Sequence, residues 1–242
     1  MNVLFWDIDQ TLVYTGHAGF LAIEHTLTEM MGPDATLPRF DAGGRTDNFI
    51  CREILRHVMQ KEPTLDDVHQ FSRQYEETLL YYMEETKGKI LPYVKELLAY
   101  FSGMPDYDQL LLTGNSRRGA ELKLTHYGLA SYFDFDYSGF AGDDFNRIDV
   151  ARRAGALARS KWGAELEKIF IIGDTEHDIQ CGKKIGAYTI AVATGSRSLE
   201  KLQGYEPWRA LPELIPADAF QQLLDEADTE EPPMHPAAGK GE

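Results

Sequence analysis

Cysteine is scarce in this 242-residue chain. Its two cysteines, Cys51 and Cys181, are too few for the disulfide framework of a small secreted domain, so nothing points to an oxidising compartment, and two unpaired, buried thiols are expected. Long apolar runs are missing too: no segment approaches the roughly 20 apolar residues needed to span a bilayer. The opening Met1-Asn2-Val3-Leu4-Phe5-Trp6 has no basic flank and reaches a carboxylate at Asp7, unlike a signal peptide. The default expectation is a cytoplasmic protein with no membrane partner. Positive charge is also short, with 24 Lys and Arg against 39 Asp and Glu and a net charge of −15. Nucleic-acid binders hold phosphate backbones with clustered Lys and Arg, so nucleic acid is excluded as a partner. A small anionic substrate, whose binding depends on local charge, is not.

What is present is enough apolar residue, 43% of the chain, for one full core or two unequal ones. Val3 to Trp6, Gln109 to Leu112, Lys168 to Ile172 and Tyr188 to Val192 are short continuous apolar runs, and Phe133 to Tyr137 is a weaker candidate. Runs without alternation suit strands of a parallel sheet covered on both faces. Between them, Tyr93-Val94, Leu97-Leu98 and Phe101 recur at helical spacing, as do Val150, Ala154, Leu157 and Ala158. Alternating strands and helices predict a doubly wound α/β core over residues 1–13 and 92–225, with ligands beyond the carboxyl ends of the strands.

Residues 14–91 break that alternation. Ala18 to Met31 reads as one helix and Asp47 to Met59 as a second. A third opens at Thr64, with Asp67 three residues on as in a capping box, and carries Leu65, Val68, Phe71, Tyr75, Leu79 and Tyr82 on one stripe. An all-helical insertion after the first strand reads as a lid, with hinges near Val13 to Gly16 and Lys87 to Pro92. Past Asp225 the chain turns acidic and rich in Pro and Gly, and 226–242 is expected to be a disordered tail.

Asp7 and Asp9 follow the first strand and precede Thr11 and Leu12. Alone they would suit a solvated turn. A carboxylate that attacks phosphorus needs its charge and that of the phosphate offset by a divalent cation and a basic side chain. Gly173-Asp174-Thr175-Glu176-His177-Asp178 follows another strand and supplies two more carboxylates, which with Asp7 offer the hard oxygen ligands Mg²⁺ prefers. Between them, Thr113 with the amides of Gly114 and Asn115 offers a hydroxyl and N–H donors for phosphate oxygens at an expected helix start.

In Asp7-Ile8-Asp9-Gln10-Thr11-Leu12, Leu112-Thr113-Gly114-Asn115 and Gly173-Asp174-Thr175-Glu176-His177-Asp178 the chain resembles the haloacid dehalogenase (HAD) superfamily of phosphohydrolases. The resemblance spans essentially the whole core. It extends to a helical cap of the C1 type, with a layout most similar to the phosphoglycolate phosphatase branch. It implies that Asp7 is the nucleophile of an aspartyl-phosphate and that Asp9 protonates the leaving oxygen and then activates water. It also implies that Asp7, the main-chain carbonyl of Asp9 and Asp174 hold Mg²⁺, with Asp178 bound directly or orienting its waters, and that Thr113 binds the phosphoryl group. A second carboxylate at position 9 favours phosphoryl transfer over dehalogenation.

Two positions depart from the family pattern. Gln10 stands where Gly is common, and the usual Lys about 25 residues before the last motif is missing. Arg147, in Asp144-Phe145-Asn146-Arg147-Ile148-Asp149, is the preferred substitute, with Arg152, Arg153 and the more distant Lys161 as rivals. Arg can clamp a carboxylate or phosphate bidentately. In the lid, Gly43-Gly44-Arg45-Thr46-Asp47 joins two helices. Gly44 permits close substrate approach and Arg45 is placed to reach a second anionic group, or else Thr46 or Asp47 simply caps the next helix. His177 and the Tyr81-Tyr82 pair read as structural, and His17 as a possible substrate contact. The expected activity is Mg²⁺-dependent hydrolysis of a small phosphorylated metabolite, phosphoglycolate-like or a sugar phosphate. Alternatives are a phosphomutase, a phosphonate hydrolase using Lys61, Lys87 or Lys89 as a Schiff base, or a non-catalytic phosphate-ligand-binding regulator.

Overall fold

The computed structural model describes residues 1–143 and 145–230. Its centre is a six-stranded parallel sheet formed by β1 (Asn2–Trp6), β4 (Tyr107–Ser116), β5 (Gly139–Ala141), β6 (Lys168–Gly173), β7 (Tyr188–Val192) and β8 (Arg209–Leu211), in the order β5-β4-β1-β6-β7-β8. Residues alternate between the two covered faces. Leu4, Trp6, Leu111, Phe170 and Ile172 pack on one side with α4 (Val94–Ser102) and α9 (Ala217–Asp225). Val3, Phe5, Leu110, Ile169 and Ile171 pack on the other with α6 (Arg147–Trp162) and α7 (Glu176–Ile185). Both faces being apolar explains why these strands read as continuous runs. β1 lies between β4 and β6, with Trp6 opposite Leu111 and Ile172, so the chain leaves the sheet at Asp7 with the strand ends of both neighbours beside it.

Between β1 and β4 the chain forms α1 (Ala18–Met31), α2 (Asp47–Met59) and α3 (Leu65–Glu85). Leu27, Cys51, Ile54, Leu55, Val68 and Phe71 make a separate core among them. The α3 start is a full capping box, with the Thr64 and Asp67 side chains each accepting from the other's backbone N–H. The expected stripe holds from Val68 to Leu79, while Leu65 is exposed. Leu157 of α6 is exposed as well, although its spacing suggested a core position. The two connections to the helical block are not loose: β2 (Val13–Tyr14) and β3 (Lys89–Ile90) pair antiparallel as a short ribbon. Two-residue strands are too short to leave a periodic signal in sequence.

Two further expectations are corrected. Phe133 to Tyr137 is a turn, in which the Asp134 carboxylate accepts from the Asp136 N–H and the Ser138 hydroxyl donates to the Asp134 carbonyl; the edge strand is β5, two residues later. Its aromatic residues gave a strand-like pattern, but Phe135 instead stacks on Phe140. Residues 226–230, expected within a disordered tail, dock on the core. Arg209 pairs with Glu226 at 2.6 Å and Glu230 at 2.9 Å, and Trp208 Nε1 donates to Glu230 at 2.7 Å. Tyr188 and Trp208 supply apolar area beneath these charges, which composition alone does not reveal. The rest of the expected tail, 231–242, lies outside the described residues. Cys51 and Cys181 are free and buried, as expected.

Candidate active site

The ends of β1 and β6 and the last residues of β4 bring Asp7, Asp174 and Thr113 to the floor of one cavity of about 440 Å³, whose roof comes from the helical block. Strand ends are where a doubly wound sheet presents polar groups without burying unpaired backbone inside its core. Asp7, Asp174 and Asp178 are all buried, with oxygens that lie within 4.8 Å of one another. Arg147, the first residue of α6, is buried against them. Its Nη2 lies 2.8 Å from Asp7 and 2.6 Å from Asp178, and also donates to the Leu112 carbonyl at 3.1 Å, while Nη1 donates to the Gly44 carbonyl at 3.2 Å. Asn146 caps α6 by accepting from the Ile148 N–H, which fixes where Arg147 leaves the helix.

The other basic residues weighed from sequence lie elsewhere. Arg152 pairs with Asp149, Arg153 donates to the Phe140 carbonyl, and Lys161 is shared by Asp108 and Asp134.

Burial raises the Asp7 and Asp174 carboxyls well above the usual carboxylate range, and mutual repulsion adds to it, opposed by Arg147. Arg147 is held protonated by Asp178 and Asp7 against the cost of its burial. When ionised, three buried carboxylates around one guanidinium carry more negative charge than it can offset. A divalent cation with hard-oxygen preference fits that donor set. Asp178 contributes one oxygen to Arg147, while its other accepts from the N–H and hydroxyl of Thr175, the N-cap of α7, in a capping box. The Asp174 carboxylate faces the cavity.

Asp9 sits apart from this cluster. Its Oδ2 accepts from Lys123 Nζ at 2.6 Å and Asn115 Nδ2 at 2.8 Å, and Lys123 also donates to Asn115 Oδ1 at 2.6 Å. The Asp9 carboxylate is therefore not among the oxygens grouped around Asp7, Asp174 and Asp178. Lys123, on α5 (Arg117–His126), was missed in the sequence: it lies eight residues beyond Asn115 and carries no motif. Its one legible sign is a lysine among the buried positions Gly119, Ala120 and Leu124 of a helix that directly follows the Thr113 motif. A buried ammonium needs a partner, and here that partner is Asp9. Substituting Lys123→Met is expected to lower kcat by about 10- to 100-fold, a share of what a positioned proton donor contributes, with a smaller change in KM. Steady-state kinetics checks this, and an unchanged kcat contradicts it.

The second motif differs from its expected local structure. β4 runs through Thr113, Gly114 and Asn115 to Ser116, and the helix begins only at Arg117, capped by the Ser116 hydroxyl accepting from the Gly119 N–H. The Asn115 N–H and side-chain amide both donate to Thr113 Oγ1, so that amide is engaged internally rather than directed at a ligand. Gly114 is required by contact: a Cβ there would lie 2.1 Å from the Arg45 carbonyl oxygen. Gln10 has a φ of 62°, in the left-handed region that favours glycine, which gives a backbone reason for Gly to be common at this position.

The loop before α2 seals one side of the site. Gly44 has a φ of 68°, and a Cβ on it would lie 2.4 Å from Thr175 Oγ1. Both its conformation and its proximity to the core therefore require glycine. Arg197 pins the same loop by pairing with Asp41 and, at 2.7 Å, with Glu176. Thr46 caps α2 by accepting from the Phe49 N–H, and the Arg45 guanidinium lies over the Phe49 ring at 4.7 Å. His177 lines a second cavity behind this loop, whereas His17 lines the main one. Asp47 accepts from the Ser116 N–H at 2.8 Å, and loss of water around it raises its carboxyl to about 6. A folded-state acid held above its ordinary value of 3.8 binds its proton more tightly than the unfolded chain does, so stability falls as pH rises through that interval. Asn keeps the acceptor and cannot ionise. Asp47→Asn is expected to gain Tm relative to the parent between pH 4 and pH 7, and a pH-independent difference contradicts this.

The haloacid dehalogenase-like hydrolase family matches residues 3–192. The chain belongs to that family. It is 27% identical over 227 residues to the "Probable phosphatase IndB" of Dickeya dadantii (strain 3937), covering 93% of each protein. It is 26% identical over 199 residues to a phosphoglycolate phosphatase of Aquifex aeolicus (strain VF5), covering 81% of this chain and 86% of that one. Among solved structures, a HAD hydrolase of family IA, variant 3, from Entamoeba histolytica HM-1:IMSS superposes with a TM-score of 0.68 at 16% identity, over 93% of this chain and all of the other. No helix among the described residues is long and apolar enough to cross a membrane. The fold expectation, a parallel-sheet core of this family, holds.

Proposed function

We propose that this family member is a Mg²⁺-dependent phosphatase that hydrolyses a small phosphate monoester through an aspartyl-phosphate on Asp7. The observation that carries the reading is the Asp7 carboxylate at the sheet's end, fixed by Arg147 beside Asp174 and Asp178 and open to a cavity shared with Thr113. The names of the two curated relatives favour the same reaction class. Asp7, Asp174 and the main-chain carbonyl of Asp9 would hold the cation, with Asp178 in support, and it would supply charge neutralisation for the carboxylate and the phosphate oxygens.

Arg147 orients Asp7 and offsets its charge, so that an Asp7 oxygen can approach phosphorus. The new P–O bond forms as the bond to the leaving oxygen breaks, and Asp9 gives that oxygen its proton. Water then attacks phosphorus, its proton passes to Asp9, the bond to Asp7 breaks and orthophosphate leaves. Lys123 and Asn115 hold Asp9 by one oxygen, which leaves its other oxygen outside these contacts. Thr113 would bind the phosphoryl group, with Gly114 and Asn115 beside it, and Gly44 and Arg45 would close the site from the helical block. That block, residues 14–91, would act as a lid hinged on the β2–β3 ribbon, excluding water during the reaction.

The cavity-lining lysine is Lys123, already paired with Asp9, whereas Lys61, Lys87 and Lys89 are outside the lining, which disfavours the Schiff-base alternative. The test is release of inorganic phosphate from p-nitrophenyl phosphate with Mg²⁺ and with excess chelator. Mg²⁺-dependent release supports the reading; no release from the folded protein with Mg²⁺ overturns it.

A further inference from the structure

Beyond its acidic floor, most of the cavity wall is hydrocarbon, interrupted by Thr15, His17, Arg45, Asp47 and Tyr75. Phe20 and Ile23 of α1, Leu37 and Phe40 of the following loop, and Ile50 and Ile54 of α2 all face it. Phe20 is 55% exposed and Phe40 36%, large apolar groups left uncovered inside a cleft. Such a wall gains little from a hydroxyl-rich or carboxylate-bearing guest and much from an apolar one.

The charges around it point the same way. A carboxylate on the leaving group would need a cation, but Arg147 is committed to Asp7 and Asp178, and Lys123 to Asp9 and Asn115. Arg45 lines both cavities with its guanidinium stacked over Phe49, so it is the one arginine of the main cavity with no carboxylate partner among the described residues and the single counter-charge left for such a group. Asp47 places a carboxylate of its own in the main cavity.

We propose that the alcohol released by this enzyme carries an apolar body of ring or chain size, seated against Phe20, Ile23, Leu37, Phe40 and Ile50, and that phosphoglycolate and sugar phosphates are poor substrates. The inference rests on the phosphatase reading above and narrows its substrate class.

A series of n-alkyl phosphates from methyl to hexyl tests it, because the leaving-group chemistry is nearly constant while buried area grows. The expected result is a kcat/KM that rises about three- to fourfold per methylene, the value for a CH₂ removed from water, with hexyl phosphate well above 2-phosphoglycolate. In Phe20→Ser and Ile50→Ser the hexyl-to-methyl ratio is expected to fall by about tenfold, as for loss of one apolar wall residue. A flat series, or 2-phosphoglycolate exceeding hexyl phosphate, overturns the inference while leaving the phosphatase reading intact. Absence of turnover with every ester, p-nitrophenyl phosphate included, overturns both.

Discussion

Asp7→Asn is expected to abolish phosphate release, with a fall in kcat of at least about 10⁴-fold, in the range seen when a covalent nucleophile is removed. Asparagine has nearly the same shape, so the packing of β1 and the position of Arg147 should survive. The carboxylate that burial and its acidic neighbours disfavour is replaced by a neutral amide, so the variant should melt no lower than the parent in metal-free buffer. Loss of activity with retained or raised Tm separates a chemical role from a structural one. A variant that keeps more than a tenth of the parent kcat contradicts the assignment of Asp7.

Arg147→Met is expected to damage both activity and stability. Removing one partner of a buried ion pair costs about 3–5 kcal/mol because the remaining charge is left uncompensated. Here Asp7 and Asp178 would both lose their partner, at 2.8 Å and 2.6 Å. The carboxyls escape part of that cost by taking up protons, so about 3 kcal/mol is expected, or roughly 6–12 °C in Tm for a chain of this size. Added Mg²⁺ should recover part of the loss, because it replaces the missing positive charge. Activity should fall by about 10³-fold, the scale reported when a charge-stabilising donor is removed. Arg147→Lys keeps the charge but not the planar fork that reaches Asp7, Asp178, Leu112 and Gly44 together, and it should lie between the two. Melting curves with and without Mg²⁺ decide this; an Arg147→Met Tm equal to that of the parent contradicts it.

Much of this site was legible because its residues sit at strand ends. The continuous apolar runs marked the strands, and the residues directly after them are the polar groups the structure brings into one cavity. The starts of α2 and α3 were equally readable, since Thr46 and Thr64 cap these helices by local chemistry. What was hidden depends on contacts distant in sequence. Lys123 reaches Asp9 across 114 residues, and Arg197 joins Asp41 to Glu176. The apolar wall is assembled from two helices and a loop whose residues individually look like ordinary core. Glu226 and Glu230 looked like a solvated acidic tail until Arg209 and Trp208 were placed beneath them. The failed strand at Phe133 to Tyr137 shows the converse, a β-like composition overridden by an Asp134–Ser138 turn.

The central claim is that phosphate passes through Asp7, and trapping the intermediate tests it most directly. Acid quenching during turnover of p-nitrophenyl phosphate with Mg²⁺, followed by borohydride reduction, converts an aspartyl-phosphate to homoserine, which peptide mass spectrometry can locate. The account predicts homoserine at position 7 and none in Asp7→Asn. Homoserine at another aspartate, or steady phosphate release with no reduced residue at any point of the time course, would contradict it.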